Sequence, residues 1–143
     1  MARIAIELPE RFAYSTQITL LSTHMNMTGH LDNALLLTLL SETRIRFWQS
    51  LGYADATNLN GVTGVVSDAA VVYKAQAYHG QTLRIDMALS DFAKYGFDFV
   101  WRITELSSGH EVARGKTGIL CVDRETHKVT PFPERLLEQL KAL

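Results

Sequence analysis

The sequence is poor in the residues that build disulfide and metal frameworks. Cys121 is the only cysteine among 143 residues, which excludes an intrachain disulfide and fits a reducing compartment. The five histidines are scattered, and no Cys-x-x-Cys or His-x-x-x-His spacing occurs. We therefore expect neither a metal site nor a bound cofactor.

Long apolar segments are also absent. No apolar run reaches the ~20 residues that a membrane-spanning helix requires, and the N-terminus lacks the apolar core of a signal peptide. The net charge of -1 gives no reason to expect nucleic acid or a membrane surface as a partner. These absences predict a cytoplasmic protein.

The residues that are present suit a globular chain with a real core. The hydrophobic content is 47%, and no repeat, linker or low-complexity tract divides the sequence. We therefore predict a single domain over residues 1–143.

One long apolar helix dominates the sequence pattern. It is predicted over residues 33–51, with Asp32 or Asn33 as its N-cap and Gly52 as its stop. Its apolar residues occur almost all the way round, which is typical of a buried helix. A short amphipathic helix is predicted over residues 134–143.

The remaining segments predict β-strands. Most alternate between apolar and polar residues with a period of two, and one is a continuous run rich in Val and Ala. The predicted strands cover residues 12–22, 62–73, 83–89, 97–103 and 111–122. The last four are expected to follow one another in antiparallel succession.

Together these elements predict an α+β fold. One antiparallel sheet wraps around the long buried helix, and the short helix closes the chain. A single curved sheet leaves its edges open, so we expect a homo-oligomer.

Several segments resemble a known family. Residues 26–33 (Asn-Met-Thr-Gly-His-Leu-Asp-Asn) are similar to the Asp-x-x-Gly-His-x-x-Asn stretch of the hot-dog-fold acyl-CoA thioesterases, in their 4-hydroxybenzoyl-CoA thioesterase-like branch. Residues 42–44 resemble the family's helical Glu-Ala-Arg, residues 73–81 its Tyr-x-x-Pro-x-x-x-Gly-Asp stretch, and residues 113–123 its closing strand.

This resemblance runs nearly end to end and implies both a fold and an activity. The fold is the hot-dog fold. The activity is hydrolysis of an acyl-CoA thioester to the free acid and coenzyme A, by a homodimer or homotetramer with sites at subunit junctions.

The resemblance also implies a site at the start of the long helix. The backbone N–H groups of Gly29 and His30 are candidates for polarising the thioester carbonyl, because a helix start favours developing negative charge. The alternative is that Gly29 is only a turn residue. Asn26 stands where the family carries an acid. Since an amide cannot attack as an anion, we expect Asn26 to donate to the thioester oxygen or to hold a water.

Glu42 is the leading candidate for the missing carboxylate. A second branch of the hot-dog thioesterases uses an acid on this helix, and burial would raise the pKa of Glu42. It would then activate water or attack directly. The alternative is that Glu42 faces solvent and pairs with Arg46. His30 could act as a base, or it could orient a turn through a backbone hydrogen bond.

Four further residues are candidates for substrate binding. Asn33 precedes the helix, and Thr38 lies on the same polar line as Glu42. Asp68 interrupts a Val- and Ala-rich strand, and it points either outward at an edge or into a partner's active site. Lys94 could meet the phosphates of coenzyme A, although a solvated surface position is the ordinary place for a lysine.

Two other functions stay open from the sequence. A hydroxyacyl-thioester dehydratase on the same fold would require a His and an acid arranged to move protons. A non-catalytic acyl-CoA binding module is the other, and Asn26 in place of the acid is its best support.

Overall fold

The structure is a computed structural model and describes residues 1–143. Its elements, in chain order, are β1 (Tyr14–Thr19), a 3-10 turn (Ser22–His24), α1 (Leu36–Ser50), β2 (Val62–Tyr73), β3 (Thr82–Ala93), β4 (Gly96–Glu105), β5 (Glu111–Asp123) and α2 (Glu134–Lys141). Every predicted strand and helix is present, and β2 has its predicted bounds. None of the helices combines the length and the apolar character that crossing a bilayer demands.

The five strands form one antiparallel sheet in the order β1-β3-β4-β5-β2. The prediction that the four strands after α1 pair in chain order is therefore wrong for the first pair. β2 does not pair with β3; it pairs with β5 over eleven residue pairs and forms an edge of the sheet. Alternation along a sequence identifies strands but not their partners, so this crossover left no local signal.

The hydrophobic core lies between α1 and the inner face of the sheet. Phe47 and Trp48 of α1 pack edge-on against Phe99 of β4, with ring centroids 5.2 and 6.4 Å apart. Trp101 and Leu39 are also buried in this layer. The predicted arrangement of one sheet around one long helix is confirmed.

The expectation that α1 is buried on all sides is wrong. Leu36, Leu40 and Phe47 mark its buried face, but Leu37 and Ile45 on the other face are 38% and 39% exposed. A single sheet can cover only one face of a helix, so the second apolar face stays open. It lies beside β2, whose Val65 and Val66 are also exposed.

Candidate active site

The loop before α1 is organised by the side chain of Asn26. Its Oδ1 atom accepts hydrogen bonds from the Thr28 N–H at 3.0 Å, the Thr28 hydroxyl at 2.6 Å and the His30 N–H at 3.3 Å. The Asn26 carbonyl accepts from the Gly29 N–H at 3.1 Å. Gly29 has a φ of 81°, a conformation that glycine adopts without strain. The loop is therefore a closed turn around Asn26.

These bonds occupy the two predicted oxyanion donors, whose role stays a prediction. The N–H groups of Gly29 and His30 do not point freely from the helix start, because both donate to Asn26. Gly29 precedes α1 by seven positions, so its N–H does not belong to the first helical turn. The Nδ2 group of Asn26 has no hydrogen-bond partner, and Asn26 is exposed, so its amide can donate to a ligand.

The helix start itself leaves a different donor free. Asp32 caps the helical turn that leads into α1, and its Oδ1 accepts from the N–H groups of Ala34 at 2.8 Å and Leu35 at 3.0 Å. The Asp32 carbonyl accepts from the Leu36 N–H at 3.0 Å. The Asn33 N–H has no acceptor. It is therefore the unpaired N–H at the positive end of the helix.

Asn33 borders a cavity of about 280 Å³. The cavity lies between the start of α1 and the chain that leaves β2. Its lining residues are Leu31, Asn33, Leu36, Tyr73, Lys74, Ala75, Gln76, Ala77 and Val112. We call it the helix-start cavity. The predicted substrate contact at Asn33 thus has a space in which a ligand fits.

Tyr73 fixes the position of Asn33 in this cavity. Its hydroxyl donates to the Asn33 carbonyl at 2.7 Å. Burial and the negative charge of Asp32 raise the pKa of the Tyr73 phenol above its usual value, so the hydroxyl keeps its proton. No role is predicted for Tyr73 from the sequence. Its place at the end of a predicted strand, within a stretch that resembles the family pattern, was the signal available.

His30 lies beside this cavity without lining it. Its ring meets the Tyr78 ring edge-on at 5.1 Å. The predicted hydrogen bond from the imidazole to a backbone group is absent, and the buried Nδ1 atom has no partner. The role of His30 as a base stays a prediction.

Glu42 is not buried as expected. Its carboxylate side chain is 48% exposed and accepts from Arg46 Nε at 2.9 Å. The predicted alternative, a solvated i,i+4 ion pair, describes its surroundings in the single chain. Thr38 lies on the same exposed face, and its hydroxyl donates to the Leu35 carbonyl at 2.6 Å. The catalytic role of Glu42 and the substrate contact of Thr38 stay predictions.

Asp68 and Lys94 are brought together in another place. Both line a cavity of about 420 Å³, which shares no residue with the helix-start cavity. Asp68 points outward at a β-bulge, and Lys116 Nζ lies 3.1 Å from its carboxylate. Lys94 Nζ lies 5.1 Å from the centre of the Tyr95 ring. Because five strand residues separate Asp68 from Tyr73, about 16 Å lies between the two cavities along β2.

Comparisons with known proteins place the chain among thioesterases. The family model described as the Thioesterase-like superfamily matches residues 21–140. No curated protein sequence matches the chain.

Solved structures share the fold at low sequence identity. A probable thioesterase from Escherichia coli, YbaW, is 25% identical, with a TM-score of 0.75 over 89% of this chain and 96% of that one. The Synechocystis protein Slr0204, a 1,4-dihydroxy-2-naphthoyl-CoA thioesterase, is 16% identical, with a TM-score of 0.79 over 91% and 96%. The Staphylococcus aureus protein SAV2348, solved in complex with CoA, is 15% identical, with a TM-score of 0.82 over 96% and 87%.

Proposed function

The chain belongs to the thioesterase-like superfamily, and from this premise we propose that it hydrolyses acyl-CoA thioesters to the free acid and coenzyme A. The family match confirms the predicted class of enzyme, a thioester hydrolase, and the predicted hot-dog fold. That a solved relative binds CoA supports a coenzyme A ester as the substrate. The observation that carries the proposal is the free N–H of Asn33 at the helix-start cavity.

In the proposed mechanism, the Asn33 N–H polarises the thioester carbonyl. A helix N-terminus favours negative charge, so the interaction strengthens as the oxyanion develops. The Tyr73 hydroxyl donates to the Asn33 carbonyl at 2.7 Å and thereby restrains the backbone of Asn33 on the side of the residue opposite its N–H. The free Nδ2 group of Asn26 is proposed as a second donor to the same oxygen.

Glu42 is the proposed carboxylate that activates water. It lies nine positions after Asn33, which corresponds to roughly 14 Å along a helix axis. Glu42 therefore cannot reach a carbonyl bound at Asn33 of its own chain. It lies on the exposed face of α1, where a second copy of the chain can bring it to another helix start.

We propose that this second copy joins at β2 in a homodimer. β2 has one unpaired edge over residues 62–73. Antiparallel pairing of two such edges places Tyr73 of one copy opposite the start of β2 of the other. The helix-start cavity of one copy then meets the middle and end of α1 of its neighbour. The buried cluster draws on four strands and both helices, and Tyr14 and Ile18 of β1 pack against it, which supports one domain over residues 1–143.

Substitution of Asn33 tests the mechanism directly. Proline is tolerated in the first turn of a helix and removes only the N–H. We expect Asn33→Pro to lower kcat by roughly 100-fold or more, the usual cost of losing one oxyanion donor. Asn33→Ala is the matched comparison because it keeps the N–H, and it should retain most of the rate lost in Asn33→Pro. Equal rates in the two variants would remove Asn33 from the mechanism.

The activity is tested by free-thiol release from a panel of acyl-CoA esters. Loss of turnover in Glu42→Gln, with folding retained, supports Glu42 as the base, and full turnover excludes it. Saturable binding without any turnover would replace the proposal with an acyl-CoA binding module. Turnover confined to hydroxyacyl esters and abolished in His30→Ala would replace it with a dehydratase.

A further inference from the structure

Arg44 differs from the other half-buried arginines of the chain. Each of the others has a carboxylate within 4.0 Å: Arg46 pairs with Glu42, Arg84 and Arg102 with Asp86, and Arg114 with Glu111. Arg44 has no such partner. Its one hydrogen bond runs from Nη2 to the Ser41 hydroxyl at 3.1 Å. A guanidinium carries five N–H donors, so most of those of Arg44 have no protein acceptor.

The surroundings of Arg44 make this lack of a partner costly. Desolvation by burial lowers the pKa of its guanidinium, and no acidic neighbour offsets the effect. A cation taken partly out of water is stabilised by an anion or by several acceptors. For the other half-buried arginines, the anion is a carboxylate of the protein. Arg44 has no such carboxylate, so its anion would have to come from a bound ligand.

Arg44 lines a cavity of about 270 Å³, which we call the Arg44 cavity. Most of its wall is apolar or small, and it comes from α1, from the loop that follows α1 and from the sheet. The lining residues are Ser41, Arg44, Ile45, Trp48, Asp55, Ala56, Thr57, Gly64, Val66 and Ile119. A largely apolar pocket with a few polar or charged groups is the usual form of a small-molecule site.

The one acidic residue in the lining, Asp55, already has hydrogen-bond partners within the protein. Its Oδ1 atom accepts from the Thr57 N–H at 2.7 Å and from the Thr57 hydroxyl at 2.6 Å. These bonds lower the pKa of the Asp55 carboxyl, so it stays ionised. It lies more than 4.0 Å from the Arg44 nitrogens and does not neutralise them.

The Arg44 cavity also lies on the side of the molecule where the reaction is proposed. Like the helix-start cavity, it is bounded by α1 and β2, but at the opposite end of the helix. In the antiparallel pairing of β2 proposed above, the start of α1 in one copy faces the end of α1 in the other. The Arg44 cavity of one copy is therefore placed toward the helix-start cavity of the other.

We propose that Arg44 is a specificity residue that binds a carboxylate at the far end of the acyl group, so that the preferred substrates are ω-carboxyacyl thioesters. The inference rests on the proposed function, because it needs an acyl thioester held at Asn33. The apolar wall contacts the methylene chain. The guanidinium donates two hydrogen bonds to the terminal carboxylate, in the bidentate geometry that suits arginine.

The test compares matched pairs of esters: adipoyl-CoA with hexanoyl-CoA, and suberoyl-CoA with octanoyl-CoA. We expect kcat/KM to favour the carboxylated member of at least one pair by about 10-fold or more, the usual worth of hydrogen bonds to a charged group. Arg44→Met should abolish this preference, mainly by raising KM for the carboxylated ester. Asp55→Asn should strengthen it, because a repelling charge is removed.

Arg135→Met is the matched control. Arg135 is an exposed arginine of α2 with no carboxylate partner, and its removal should leave the preference unchanged. Hydrolysis of plain acyl-CoA esters with no preference for either carboxylated partner would overturn the inference and leave the proposed function standing. So would a preference that survives in Arg44→Met.

A protein that hydrolyses none of the esters would overturn the proposed function instead. The inference is then decided by equilibrium binding of adipoyl-CoA and hexanoyl-CoA, measured by calorimetry. Tighter binding of adipoyl-CoA to the unaltered protein than to Arg44→Met supports it, and equal binding overturns it.

Discussion

The outer face of the sheet and the region around α1 differ in whether their charged and polar side chains are paired. On the outer face, charged side chains neutralise one another: Asp86 lies 3.3 Å from Arg84 and 3.2 Å from Arg102, and Lys116 Nζ lies 3.1 Å from Asp68 and 3.0 Å from Asp98. Each of these charges has a partner of opposite sign within the fold, although the buried Nε of Arg102 has no hydrogen-bond partner.

The helix-start cavity, the Arg44 cavity and the loop before α1 keep polar groups free. The Asn33 N–H has no acceptor, the Asn26 amide has no partner, and the Arg44 guanidinium has no carboxylate. Groups paired with each other hold a fold together, whereas free groups around a cavity are available to a ligand. The difference separates the structural charges of this protein from the candidate functional ones.

Removing Asp86 should give the largest loss of stability on the outer face. Its side chain is only 9% exposed and bonds two arginines. Asp86→Ala leaves both cations half-buried without an acid, and we expect the free energy of unfolding to fall by about 2–3 kcal/mol. Urea unfolding of the two proteins measures this difference in the free energy of unfolding. A loss below about 0.5 kcal/mol, within the range of exposed pairs, would show that the outer-face pairs do not hold the sheet.

The pair of Glu111 and Arg114 should make stability depend on pH. The hydrogen bond from Arg114 is the main reason that the pKa of Glu111 lies below its ordinary value of 4.5. The stabilisation is therefore present above pH 4.5 and is lost as the pH falls through the lowered value. Glu111→Gln should cost about 1 kcal/mol at neutral pH and weaken the fall in Tm at acid pH. An unchanged acid profile would contradict the pairing.

Removing Arg44 should have the smallest effect on stability. No carboxylate is left unpaired by Arg44→Met, and the methionine side chain fits the apolar wall. We expect the free energy of unfolding to change by less than about 0.5 kcal/mol. Arg102→Met on the outer face is the contrasting variant and should destabilise, because it takes one partner from buried Asp86. A loss in Arg44→Met as large as that in Arg102→Met would place Arg44 among the structural charges.

Much of the architecture could be predicted because its signals are local. The Val- and Ala-rich run identified β2 with its correct bounds, and Gly52, with a φ of 94°, ends α1 where expected. Asp32 caps the turn that leads into α1, whereas α1 itself begins at Leu36, three residues later than predicted. The family resemblance rested on short motifs in order and agreed with the family match.

The properties that depend on distant contacts could not be predicted in this way. The pairing of β2 with β5, the exposure of Glu42 and the unpaired state of Arg44 depend on which chemical groups come together across tens of residues. Local pattern specified the helix, the strands and the polar turn, because each depends on neighbours along the chain. Which N–H group is free could be identified only from the folded loop. There Asn26 accepts hydrogen bonds from the N–H groups of Gly29 and His30, and the Asn33 N–H is left without an acceptor.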